Sequence, residues 1–206
     1  MRVGKGEKTR ATILQMALAD ASERGLEGLS IGGLAERAHM SKSGLFAHFG
    51  SKDELQLAVL AEAVERFVEL VIAPALKEPR GEPRFRALFE RWLLWARQDF
   101  QPGGCIFLAA AVELDDRPGP ARDRLVASQR DWLDVLANAA RIAVEEGHFR
   151  RDLDVAQLAF EMYAMAQGFH QLERLMRDPR AESRARTAFE RLVCDARAKP
   201  RAHRAP

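Results

Sequence analysis

Apolar residues recur at helical spacing along almost the whole chain, and no stretch alternates convincingly as a strand. Ile13, Leu14, Ala17, Leu18 and Ala21 form one stripe, which stops where Gly25 offers a left-handed cap. Ser30 is placed to cap a short second helix that buries Leu34, Ala35 and Ala38. A third helix opens at Ser41 and buries Leu45 and Phe49. A fourth opens at Ser51, with Ser51 and Glu54 spaced for a reciprocal capping box, and runs until Pro74 kinks or ends it. Further apolar stripes mark helices through Phe85–Trp95, from Cys105 to Leu114, and from the Asp115 to Gly119 loop to about Glu146. Two more follow: one capped by Asp154 and reaching Met176, and a last one to about Ala196 with Pro179 in its first turn. The pattern predicts an all-α chain of nine helices without an internal repeat.

The most informative stretch is the tight run from Leu34 to Phe49. Two short helices are joined by a turn of about four residues, with Ala35 small enough for close approach and Met40 and Leu45 tying the turn to the core. The second of these helices carries Lys42, Ser43 and His48, which have no apolar face to join. This is how a helix-turn-helix presents the start of its second helix to the major groove of DNA. From these residues alone, a solvated turn in a helical bundle stays open as the alternative.

The run Ser41 to Leu55 reads S-K-S-G-L-F-A-H-F-G-S-K-D-E-L. It resembles the recognition-helix signature of the TetR family of bacterial regulators, and the resemblance covers residues 8–56. It implies an N-terminal helix-turn-helix DNA-binding domain over 1–52 and a ligand-binding and dimerisation domain over 53–197. Residues 198–206 are expected to form a basic, solvated tail, with Arg197 at its edge. Ser41, Lys42, Ser43 and Gly44 fall on the opening turn of the recognition helix, within reach of phosphates or base edges. Phe46 stands where the family has a tyrosine and keeps the ring without the hydroxyl. His48 and Lys52 match the family's phosphate-contacting positions. Ala47 replaces a larger side chain, Gly32 and Gly33 lie where good helix formers are expected, and His39 takes a turn position usually held by glycine.

Composition adds exclusions. The chain has 206 residues, 47% hydrophobic and 30% charged, with a net charge of +2 that by itself announces no nucleic-acid partner. The apolar runs are too short to span a bilayer, and the basic start is not followed by a signal-peptide core, so a cytoplasmic protein without membrane association is expected. Two cysteines supply neither a disulfide framework nor a metal cluster. Cys105, after Pro102-Gly103-Gly104, opens a helix, where a lowered thiol pKa would suit an oxidant sensor; a buried, inert cysteine is the commoner outcome. Glu113, Asp115 and Asp116 form a carboxylate cluster beside a loop, a weak candidate for a metal site. No catalytic constellation or cofactor motif stands out.

The expected effector is a hydrophobic or aromatic small molecule, with Phe67, Val71, Leu88, Trp92, Phe107, Leu108, Trp132, Met162 and Met165 as candidate lining residues, each of a kind more often plain core than pocket. The seam Leu158, Met162, Met165, Phe169, Leu172 and Met176, with Ala185, Ala188, Phe189 and Leu192, is a candidate homodimer interface from Phe169 onward, while nearer Asp154 it serves equally well as internal core. The expected function is a repressor that binds a double-stranded DNA operator and is released by its ligand. An activator, a co-repressor-dependent regulator, and a helical carrier or enzyme with a scaffolding N-terminal module remain as alternatives.

Overall fold

A computed structural model describes residues 4–198. Among the described residues nine helices are longer than one turn: α1 (Lys5–Arg24), α2 (Ile31–Arg37), α3 (Lys42–Phe49), α4 (Lys52–Phe67), α5 (Glu82–Trp95), α6 (Ile106–Leu114), α7 (Pro120–Glu145), α8 (Val155–His170) and α9 (Ala181–Ala196). Among the described residues, an isolated antiparallel bridge between Phe149 and Arg197 is the one extended pairing. Two of the helices extend as wider π turns, α4 through Val68–Ile72 and α8 through Gln171–Leu175. After the first, Ala73–Ala75 forms one short α-helical turn with Pro74 in its opening positions, where a missing amide is tolerated. The sequence pattern had carried α8 as one regular helix to Met176; its last turn is the π turn instead.

Most helix starts follow the expected capping chemistry. The hydroxyls of Ser30, Ser41 and Ser51 accept from the amides of Gly33, Gly44 and Glu54 at 3.2, 3.0 and 3.0 Å. Asp154 accepts from Ala156 and Gln157, each at 3.0 Å. Two expectations change. The Ser51 amide donates to the Phe49 carbonyl at 2.8 Å, which takes away the donor that the Glu54 half of a capping box needs. Pro179 lies in the turn before α9, because Arg180 is the residue that caps it.

The chain forms two compact units, one comprising residues up to Glu69 together with Leu94–Gln129, the other Leu70–Leu93 with the chain from Arg130 onward. In the first, the predicted α1 stripe from Ile13 to Ala21 is buried, as are Leu26, Leu29, Leu34, Leu45, Leu55 and Val59. Leaving the end of α1, the backbone of Gly25 turns to φ 79° and ψ 168°, a region open essentially to glycine and distinct from the left-handed helical cap expected. Gly103 also requires its identity: its amide donates to Ser22 Oγ at 2.9 Å, and an added Cβ would stand 1.8 Å from the Ser22 carbonyl oxygen.

The second unit is organised by aromatic rings. Phe189 of α9 stacks on Phe89 at 3.9 Å between centroids and lies 5.9 Å from Phe85, which meets Phe149 edge-on at 5.7 Å. Ion pairs border this core. Glu82 accepts both Arg86 and a bidentate Arg197, and Ala198 donates to the His148 carbonyl at 3.0 Å. Arg197 is therefore anchored rather than part of a solvated tail. The rest of the expected tail, 199–206, lies outside the described residues.

Candidate nucleic-acid interface

The α2–α3 turn is built from local chemistry. Leu34, Ala35, Leu45 and Phe49 are buried, Met40 and Ala38 are half-buried, and His39 adopts φ 52°, filling in left-handed conformation the position where the resemblance implies glycine. Arg37 pairs with Asp20 of α1, and Arg10 of α1 lies over the Phe49 ring at 5.2 Å. These contacts fix α2 and α3 on α1.

What α3 leaves outside is a small, mostly polar face. Ser41, Lys42 and Ser43 are exposed, Gly44 and His48 are half-buried, and Phe46 is 52% exposed. Ser41 Oγ lies 3.1 Å from Ser43 Oγ while capping the helix, so the hydroxyls cluster at the end where free amides favour anions. A Cβ at Gly32 would stand 3.1 Å from the Lys42 Cε, a contact that the flexible end of the lysine relieves by a small shift.

Lys52 is already engaged. Its Nζ donates to the Glu27 carbonyl at 2.7 Å and to the Glu27 carboxylate at 3.0 Å. Gln56, buried on the next turn of α4, donates through Nε2 to the Leu26 carbonyl and the other Glu27 carboxylate oxygen, both at 3.0 Å. Hydrogen bonds from Gln56 and then Lys52 hold the Glu27 carboxyl below its ordinary pKa. From α6, Glu113 accepts the amides of Leu26 and Glu27, each at 2.7 Å. The Glu113 carboxylate thus serves as an anchor for the α1–α2 loop, a role the sequence pattern did not reveal because 86 residues separate it from Glu27. Among the described residues no group of His, Cys, Asp or Glu is arranged to hold a metal ion.

The proposed lining residues are mostly core. In the first unit, Phe67 meets Trp95 and Phe107 edge-on at 5.1 and 5.7 Å, and Leu108 is half-buried. In the second, Val71, Leu88, Trp92, Trp132 and Met162 are buried, Met165 is half-buried, and Trp92 meets Phe169 at 5.7 Å. Phe169 is only 2% exposed, so it belongs to the core of its own unit and not to an interface. Of the predicted seam, Leu172 is half-buried and Met176 is 63% exposed, and the neighbouring stripe is open as well, with Phe160 at 58% and Leu175 at 71% and with Ala164 and Gly168 between them.

Cys105 caps α6, but burial outweighs the helix terminus and pushes its thiol pKa up, while Trp95 Nε1 donates to its sulfur at 3.4 Å. In this structure Cys105 is a buried thiol of the core.

Comparison with known proteins agrees with this geometry. Residues 13–59 match the family described as bacterial regulatory proteins, tetR family, and residues 81–189 match the tetracyclin repressor-like C-terminal domain. The HTH-type transcriptional repressor KstR2 of Mycobacterium tuberculosis is 30% identical over 158 residues, 74% of each chain. A TetR transcriptional regulator from Chloroflexus aurantiacus superposes with TM-score 0.84 at 24% identity, covering 95% of this chain and 99% of that one. AibR, solved with isovaleryl coenzyme A and operator DNA, superposes with TM-score 0.74 at 24% identity, covering 91% of this chain and 99% of that one. The chain belongs to the TetR family of bacterial transcriptional regulators, and its α2–α3 pair is the family's DNA-binding helix-turn-helix.

Proposed function

We propose that the protein is a dimeric repressor that holds operator DNA through α3 and lets go when a hydrophobic small molecule binds. The observation that carries the DNA-binding part is the exposed face of α3, where Lys42, Ser43 and an open Phe46 project from a helix pinned on its other side by Leu45 and Phe49. Lys42 and Phe46 read bases, Ser41, Ser43 and Gly44 seat a phosphate at the helix start, and His48 and Lys52 supply flanking phosphate contacts. Reading a two-fold symmetric operator needs two such helices. The α8 stripe Phe160, Ala164, Gly168 and Leu175, together with the exposed Ser183, Thr187 and Ala188 of α9, supports an isologous pairing with a second copy.

Two helices of the first unit link aromatic core to reading head. α4 carries Phe67 near one end and Lys52 and Gln56 at the other. α6 carries Phe107, packed on Phe67, and then Glu113. Both helices end on the same dipeptide, Leu26–Glu27. A ligand that displaces either helix reaches the helix-turn-helix through it, and by linkage the DNA weakens ligand binding by the same factor. The apolar candidates, Phe67, Phe107 and Leu108 in one unit and Val71, Leu88, Trp92, Trp132, Met162 and Met165 in the other, favour an effector with a hydrophobic or aromatic body, and AibR's isovaleryl coenzyme A is one such chemistry. The protein acts where the DNA is, in the cytoplasm.

Anisotropy of a labelled DNA complex, titrated with acyl-coenzyme A thioesters, free fatty acids and sterols, tests the release step. Release by one class, with matching quenching of Trp92, Trp95 and Trp132 fluorescence, is expected. A complex tightened by the same compounds would make the protein co-repressor-dependent.

A further inference from the structure

We propose that Glu27 is a built-in competitor for the DNA phosphate, occupying the Lys52 ammonium until DNA displaces it. The proposal rests on Lys52 being a phosphate contact. The Glu27 carboxylate is not a passing surface partner. One oxygen takes Lys52 at 3.0 Å, the other takes Gln56 at 3.0 Å, and the residue's own amide is held by Glu113 at 2.7 Å. A carboxylate gripped in this way stays in place and is presented to Lys52 in one orientation.

The site is nevertheless open to an incoming anion. The side chains of Lys52 and Glu27 are 39% and 45% exposed, and Lys52 stands in the first turn of α4, where unpaired helix amides also attract negative charge. A lysine ammonium has three donors; two are committed to the Glu27 carbonyl and carboxylate. A phosphate must therefore either replace the carboxylate or accept it as a like-charged neighbour, and each route costs affinity. Replacing it leaves Glu27 the longer-range attraction of Arg117, and a cation from solution makes up the difference. Part of the counterion release that accompanies phosphate binding is then given back, so the charge pair lowers both the affinity and the salt dependence of DNA binding.

Glu27→Gln removes the charge but keeps an amide oxygen for Lys52 and hydrogen-bonding capacity towards Gln56. The test measures the affinity of the full-length protein for a random-sequence duplex over a series of salt concentrations. The wild type, Glu27→Gln, Lys52→Ala and the double variant are compared, with the active fraction counted by stoichiometric titration and folding checked by thermal midpoint. Glu27→Gln is expected to tighten binding about two- to fivefold, the scale of a half-exposed ion pair. It should also steepen the salt slope by up to about 0.9, one phosphate's worth. In the Lys52→Ala background neither change should occur. Equal tightening in both backgrounds would show general repulsion between Glu27 and DNA and overturn the competitor role. No tightening by Glu27→Gln, where Lys52→Ala does weaken binding, would overturn it while leaving the phosphate contact intact. If Lys52→Ala changes neither affinity nor slope, the phosphate contact falls and the competitor with it.

Discussion

The helix-turn-helix and the aromatic core of the second unit are stabilised in opposite ways. Around α2 and α3, short-range chemistry dominates: serine caps at Ser30 and Ser41, a tight turn through His39, and one buried face on α1. Around Phe85, Phe89, Phe149 and Phe189, residues up to 104 positions apart meet as stacked and edge-on rings, with Arg86 reaching Glu190 across the same span. The first region spends its side chains on an open face; the second spends them on itself. Substitutions should therefore separate, those in the first altering DNA recognition and those in the second altering stability.

The largest effect is expected at Phe189. Removing a ring stacked on two others, Phe189→Ala should cost about 3–5 kcal/mol in urea denaturation. A cost below that of an exposed residue would mean the stack is not the core of its unit. Gly103→Ala should cost about 3 kcal/mol or more, because its Cβ would collide with the backbone of Ser22; a neutral result would show that the loop swings free of α1.

On the other side of the comparison, Lys42→Ala and Phe46→Ala should leave the denaturation midpoint within about 0.5 kcal/mol of wild type, as exposed positions do. Both should change the preferred DNA sequence, each by about 1–3 kcal/mol at the base concerned. A uniform loss across all sequences would move those residues from base reading to phosphate contact.

A smaller effect belongs to Glu82. Hydrogen bonds from Arg197 first, and then Arg86, lower its pKa from 4.5 to about 2. A carboxyl depressed on folding contributes stability that is present above its unfolded pKa and lost as pH falls through the folded one. The window is thus pH 4.5 down to about 2. With Arg197 half in solvent, the contribution is roughly 1–2 kcal/mol. Glu82→Gln should flatten the acid limb of the stability curve in that window, and an unchanged limb would remove the pair from the account. The smallest effect is at Cys105: mild alkylation of the native protein should leave it unmodified, since its sulfur is buried beneath Trp95. Rapid labelling would show that the α6 start opens in solution.

The same contrast explains what was legible in the sequence. Caps, turns and the recognition helix are encoded by neighbours a few residues apart, so Ser30, Ser41, Ser51 and Asp154 could be read directly. The Glu54 half of the capping box could not, because the Phe49 carbonyl competes for the same amide. The Glu113 anchor and the Glu27–Lys52–Gln56 cluster join distant segments, and periodicity carries no trace of them. The burial of Phe169 within its own chain is hidden from the sequence for a related reason. A seam spaced by three and four residues announces that a face is buried, but not whether Trp92 of the same chain or a second chain covers it.

The central claim is that α3 reads DNA as one of a symmetric pair, and selection of bound duplexes from a random DNA pool by the wild-type protein tests it most directly. The account predicts enrichment of an inverted repeat whose half-sites are lost or rewritten when Lys42 or Phe46 is replaced. A bound pool indistinguishable from the starting pool, or one unaffected by either substitution, would contradict it.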